Sequence, residues 1–409
     1  MPKIRHYNYE VREHLGILSE ISGTDQQIED VRLLRCLFST EPKNVMDRTG
    51  FFFKGINFDY TPIPSVDLNF PKKINDIIDE RAKEIADTYS YIYVLWSGGV
   101  DSTTILTSIM QHIKTKDQVT VICSQSSIDE YPWFYNKFKE DYRFIVLGFV
   151  DFYQALHDEI SDKKNYIALH GHPADQLFTN QRWFILAGGN KDWRDLVYDD
   201  NFNFPRYHNM PNYDKNHPYI KKYGTSRELD KEDKKYFIEK MEDHIYNFGI
   251  KIPNTYHFFW WLVFCFSYQN KSKRYYSDYR TMFLNIQGFF DTDDFQKWCM
   301  RVHLNDELVS VPAYDIVETE FKMKSSGGNA KQYKKDFKEY IYKYTKDEEY
   351  RDNKPKRQGM EVAYDWEKAN IVKNGNGIRL LDNNGDYILT TTETVSEDLY
   401  NVYTPYLNY

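Results

Sequence analysis

Between residues 91 and 178 the chain alternates short apolar runs with segments of helical period. The runs at 92–96, 119–124, 144–149 and 166–170 are continuously apolar and predict strands. The segments between them predict helices over 101–113, 131–140 and 152–160, with a further helix from about Ala174. A strand that is apolar on both faces needs cover on both. Such strands alternating with helices therefore predict an α/β fold, a parallel sheet with helices on each side. Ahead of this block, Ile74, Ile77, Ile78, Ala82 and Ile85 recur at the spacing of an amphipathic helix over 71–87. In a parallel sheet, ligands gather at the carboxyl ends of the strands. That rule brings residues 97–102, Ser124 and the loop in the 170s to one edge.

The flanking regions are less regular. Residues 11–38 have a helical pattern, 50–60 suggest a strand or hairpin, and Pro62 and Pro64 mark a linker. Residues 190–250 are polar and read as an insertion, whereas 254–298 are strongly aromatic and read as helical. Ser325-Ser326-Gly327-Gly328-Asn329 is a loop, followed by a Lys- and Tyr-rich helix to about 346. Turn signals at 374–377 and 382–386 follow, and the second predicts a hairpin. The expected organisation is an N-terminal segment (1–70), a main domain (71–360) with its insertion, and a C-terminal extension (361–409). No internal repeat is evident.

Composition narrows the function classes. A net charge of −8 argues against a nucleic-acid surface as the main purpose. Four scattered cysteines, Cys36, Cys123, Cys265 and Cys299, form neither a disulfide framework nor a zinc spacing, as expected of a reducing cytoplasm. The chain opens without an apolar leader. Its longest apolar run, 258–266, is far short of the roughly 20 residues of a membrane helix, and it predicts a buried helix in a protein with no membrane partner.

The turn after the first apolar strand carries the chemistry. It reads Ser97-Gly98-Gly99-Val100-Asp101-Ser102. Gly98 and Gly99 allow a tight turn and close approach of an anion. The N–H groups of the turn and of the following helix can point at that anion. Ser97 and Ser102 add hydroxyl donors, and Asp101 is a hard oxygen ligand for Mg²⁺. The spacing and the lysine of a Walker loop are both missing. The turn resembles the S-G-G-x-D-S pyrophosphate loop of the N-type ATP pyrophosphatases, which include asparagine, GMP, NAD and argininosuccinate synthetases. That resemblance implies a Rossmann-like sheet of the adenine nucleotide α-hydrolase type with a helical C-terminal part. It also implies ATP and Mg²⁺ as cofactors, cleavage of ATP between the α and β phosphates, and adenylation of an acceptor oxygen.

A second match points toward the asparagine synthetase branch. Residues 170–178, His-Gly-His-Pro-Ala-Asp-Gln-Leu-Phe, are similar to its S-G-E-G-A-D-E-L-F at Gly171, Ala174, Asp175, Leu177 and Phe178. The resemblance implies that Asp175 shares Mg²⁺ with Asp101. Further on, 334–338 resembles K-x-x-L-R and 354–360 resembles R-x-K-x-x-F, which implies phosphate-clamping roles for Lys334 and Lys356. Lys331 and Lys335 compete for the first of these. Residues 289–298 echo P-F-L-D, with Gly288 in place of Pro, while Leu284 and Ile286 stand near the usual Glu and Arg.

The departures shape the expected activity. Position 2 is Pro rather than the catalytic Cys of a glutaminase domain, so the expected nitrogen source is ammonia, a separate ammonia-supplying protein or an amine substrate. His172 replaces the family Glu and is a candidate general base. Pro173 stiffens that loop. The expected function is an AMP-forming ligase acting on a carboxylate or amide oxygen of a small-molecule acceptor. The alternatives are a nucleobase-modifying relative and a non-catalytic module that binds ATP or AMP.

Overall fold

A computed structural model describes residues 47–51, 60–147, 152–172, 174–178, 192–197, 231–252, 254–266, 268–269, 284–304, 332–354, 371–374, 377–381 and 387–389. The chain divides into two compact units. One comprises Asn75–Gly171, Arg274–Phe289 and Lys334–Tyr409, and the other Met1–Ile74, His172–Lys273 and Phe290–Tyr333. They are called here the sheet unit and the helical unit.

The sheet unit holds a five-stranded, all-parallel sheet in the order β3-β2-β1-β4-β5. Its strands are β1 (Tyr91–Leu95), β2 (Val119–Cys123), β3 (Arg143–Val146), β4 (Tyr166–His170) and β5 (Ile286–Gly288). β1 lies between β2 and β4, with Ile92 opposite Val119 on one side and Ile167 on the other. Burial follows position. All five residues of β2 and four of five in β1 and β4 are buried, while Arg143 and Val146 of the edge strand β3 are exposed. Helix α1 (Ile74–Thr88) precedes β1, and α2 (Val100–His112), α3 (Gln125–Glu130), α4 (Pro132–Phe138) and α5 (Phe152–Ile160) separate β1 to β4 in sequence. The α/β class expected from the alternation is therefore present.

α1 buries the predicted stripe of Ile74, Ile77, Ile78, Ala82 and Ile85, each isoleucine worth about 1.5–3 kcal/mol of burial. α2 is buried along 102–110 despite its hydroxyl residues. Those hydroxyls bond within the helix: Thr104 to the Val100 carbonyl, Thr107 to that of Thr103, and Ser108 to that of Ile105. Beneath the sheet, Leu156 and Ile160 of α5 pack with Tyr93, Leu95, Ile122, Ala168, Leu284 and Ile286.

The helix read over 131–140 is present as α4, and a short helix that the pattern did not give, α3, precedes it. Ser124 opens α3, and Tyr131 then breaks the chain ahead of Pro132, which occupies the first turn of α4. The aromatic stretch 254–298 is not helical throughout. It contains β5, whose Ile286 and Gly288 are buried while Gln287 is half-buried, the alternation of a strand. Residues 190–250 include a 17-residue helix. The C-terminal hairpin is present and extended, since β6 (Ile371–Asn374), β7 (Gly377–Leu381) and β8 (Tyr387–Leu389) form an antiparallel sheet. The helix read over 11–38 lies outside the described residues, as does most of the strand or hairpin read over 50–60.

In the helical unit, α6 (Ala174–Phe178), α7 (Lys231–Asn247), α8 (Thr255–Phe266) and α9 (Asp293–Leu304) surround an aromatic core. α8 is the apolar run expected to form a buried helix. Its Trp260 stacks on His303 at 4.2 Å between ring centroids and donates to the Leu177 carbonyl at 2.8 Å. Arg48, 2% exposed, lies over the rings of Phe264 and Tyr268 and donates to the Phe264 carbonyl and to Gln296 Oε1. No helix among the described residues is long and apolar enough to cross a membrane.

Candidate functional site

The order β3-β2-β1-β4-β5 places a topological switch at β1: successive strands run outward from it on one side, and β4 and β5 lie on the other. A crevice at the carboxyl ends of β1 and β4 is where open parallel sheets bind ligands. The residues at those two ends are Ser97–Ser102 and Gly171.

The turn is built for close approach. Trp96 N–H makes the last sheet bond, to the Ile122 carbonyl at 2.8 Å. Gly98 then takes φ = +75°, and a Cβ there would stand 2.4 Å from the Ser127 carbonyl oxygen and 2.7 Å from Glu130 Cβ. Only glycine fits, on both conformational and steric grounds. Gly99 precedes α2 without any side-chain cap, so the helix enters with its first N–H groups uncapped by a side chain. Ser102 Oγ accepts from Ser97 N–H at 3.1 Å, and the two hydroxyls lie 2.9 Å apart. Val100 is half-buried at the start of α2. Gly171, after β4, faces the same turn: a Cβ on it would lie 3.4 Å from Asp101 Cβ and from Ser102 N.

The charges come from both ends of the sheet unit's sequence. α10 (Gln332–Thr345) carries Lys334, whose Nζ lies 2.5 Å from Asp101 Oδ2. Both side chains are only partly exposed, whereas Lys335, its competitor in the sequence, is exposed. Lys338 follows one helical turn later. Burial, reinforced by Lys354, lowers its pKa. Lys354 itself pairs with Glu130, each side chain 9% exposed. Sequence reading gave Lys354 only as the start of the 354–360 match, and it missed Glu130 and Tyr350. One tyrosine among 35 gives no signal, and Glu130 carries no motif.

The remaining predicted residues divide. Ser124 sits at the end of β2, but its hydroxyl caps α3, accepting from Ser127 N–H and bonding to the Ser126 and Ser127 hydroxyls. Its position here is explained by the cap alone. His172 and Asp175 belong to the helical unit, where both are exposed and Asp175 occupies the first turn of α6. Lys356 lies outside the described residues.

Among the described residues, no group of three or more His, Cys, Asp and Glu forms a cage for a metal ion. Magnesium does not require one, because it keeps most of its waters and binds through one or two carboxylates together with substrate phosphates. A single carboxylate beside a glycine turn and a lysine fits that donor set. No protein-family model matches this chain, and no curated protein matches it.

Proposed function

We propose that this chain is an AMP-forming ligase whose Rossmann-like sheet binds Mg·ATP at residues 97–102. The observation that carries the reading is the partly buried Asp101–Lys334 pair at the switch point of a parallel sheet, beside a turn that only glycine can make. In this reading the N–H groups of Gly99 and the start of α2, with Ser97 and Ser102, hold the β and γ phosphates. Lys334 moves from Asp101 onto the phosphates, and Asp101 would hold Mg²⁺, which would neutralise the leaving pyrophosphate when bound; the family resemblance gives Asp175 the same role. Lys356 serves as a second clamp.

An oxygen of the acceptor's carboxylate or amide attacks the α-phosphorus. The P–O bond to the β phosphate breaks, and pyrophosphate leaves with that electron pair. Ammonia or an amine then attacks the activated carbon, His172 takes up its proton, and AMP departs with the acceptor's oxygen. The protein contributes mainly positioning and charge complementarity.

The test is product identity. Mg·ATP is supplied with ammonium and a pool of amino acids, nucleosides and cell metabolites, and wild type is compared with Asp101→Ala. Pool-dependent AMP and pyrophosphate that vanish in the variant support the reading, and fractionating the pool then identifies the acceptor. ADP in place of AMP overturns it. Nucleotide binding without any turnover across the pool would favour a regulatory module instead.

A further inference from the structure

We propose that Tyr350 and Lys354 are positioning residues for the 97–102 turn, so that the C-terminal helical segment sets the direction of its N–H groups. The inference rests on the nucleotide reading only for the identity of the ligand. Helix α11 (Glu348–Asn353) is capped by Asp347, whose Oδ1 accepts from Tyr350 N–H at 3.1 Å while its Oδ2 accepts from the Tyr131 hydroxyl at 2.9 Å. The ring of Tyr350 stacks on Tyr131 with centroids 3.8 Å apart, and Tyr350 is buried. These contacts fix where its hydroxyl goes, which is to the Gly98 carbonyl at 3.4 Å.

That contact has a directional consequence. The peptide joining Gly98 to Gly99 is planar and trans, so its C=O and N–H point in opposite directions. Holding the Gly98 carbonyl toward Tyr350 therefore aims the Gly99 N–H to the other side. Its bond to Ser97 Oγ there is long, at 3.4 Å. Lys354 acts on the same residue from a second direction. It pairs with Glu130, whose Cβ and Cγ, together with the Ser127 carbonyl oxygen, fill the space that a Cβ on Gly98 would need. Lys354 Nζ also lies 5.6 Å from the Tyr350 ring centroid. Burial raises the Tyr350 phenol well above its ordinary pKa, so it remains a donor at any working pH.

The variants are Tyr350→Phe, which keeps the stacking and loses the donor, and the double Glu130→Gln with Lys354→Met, which avoids a buried charge without its partner. Hydrogen exchange of the ligand-free full chain is followed in peptides covering 97–102 and, as a folding control, 74–88. Affinity for Mg·ATP is measured by titration calorimetry. The expected result is exchange at 97–102 faster by about fivefold in Tyr350→Phe, the equivalent of one hydrogen bond. Mg·ATP binding should weaken by a similar factor, with 74–88 unchanged, and Lys354→Arg should retain wild-type values. Unchanged exchange at 97–102 in both variants overturns the proposal. Faster exchange in a protein whose wild type binds no Mg·ATP leaves the positioning role standing and removes the nucleotide reading.

Discussion

The two units bury polar groups by different means. In the sheet unit, charge is kept in pairs near the glycine turn, Asp101 with Lys334 and Glu130 with Lys354. In the helical unit, the buried Arg48 is held by aromatic rings, a carbonyl and Gln296, and the buried histidines are neutral and packed among aromatics. His244 accepts from Trp261 Nε1–H, and His303 donates to the Phe178 carbonyl. Keeping ions half-buried costs desolvation, and an apolar replacement of such pairs is often neutral or stabilising. Ions held in reserve at a switch point are therefore better explained by a charged ligand than by stability. The buried histidines need no ligand to explain them.

Acid should separate the units most strongly. Burial lowers the pKa of His244 to about 3, of His257 to about 2, with the nearby His303 adding to the effect, and of His303 to about 4. Above pH 6.5 each is neutral in both folded and unfolded chains and pH has no effect. Below 6.5 the unfolded chain takes up protons that the folded one refuses. Each histidine then costs about 1.4 kcal/mol per pH unit until its folded pKa is reached. Urea unfolding at pH 7 and pH 5, read by tryptophan fluorescence, should show a large loss. A protein equally stable at both would show that these rings are not buried neutral.

Within the sheet unit, Asp101→Ala should lower pyrophosphate release by about 10³ or more. Its melting temperature should stay within a few degrees of wild type, since a partly exposed pair contributes little stability. Lys334→Met should cost about 10² in rate. Gly98→Ala acts on the fold instead: a left-handed conformation together with a contact at 2.4 Å should cost about 3 kcal/mol. Gly171→Ala, with its nearest neighbours at 3.4 Å, should cost less than about 1 kcal/mol. The smallest activity effect is expected at Asp175→Asn, about tenfold, because that carboxylate is exposed. A loss matching Asp101→Ala would erase the distinction drawn between the two carboxylates.

How far the sequence could be read follows the same division. The strands of the sheet were legible because burial on both faces leaves a continuous apolar run. The glycine turn was legible because its backbone demands are met by one residue type. β5 was not, since three residues are too few for a period to show among aromatics. Arg48 was equally hidden, because its partners, Phe264, Tyr268 and Gln296, are more than 200 residues away in the chain. Lys334 could be singled out from Lys335 only once α10 had turned one of them toward Asp101. Tyr350 and Lys354 act through a carbonyl and a carboxylate that no spacing rule connects.

The central claim is that residues 97–102 seat a triphosphate, and hydrogen exchange with Mg·pyrophosphate tests it without knowledge of the acceptor. The account predicts slower exchange in peptides covering 97–104, unchanged exchange at 114–118 at the opposite end of the sheet, and loss of the protection in Lys334→Met. Protection that spares 97–104, or that persists undiminished in Lys334→Met, would contradict it.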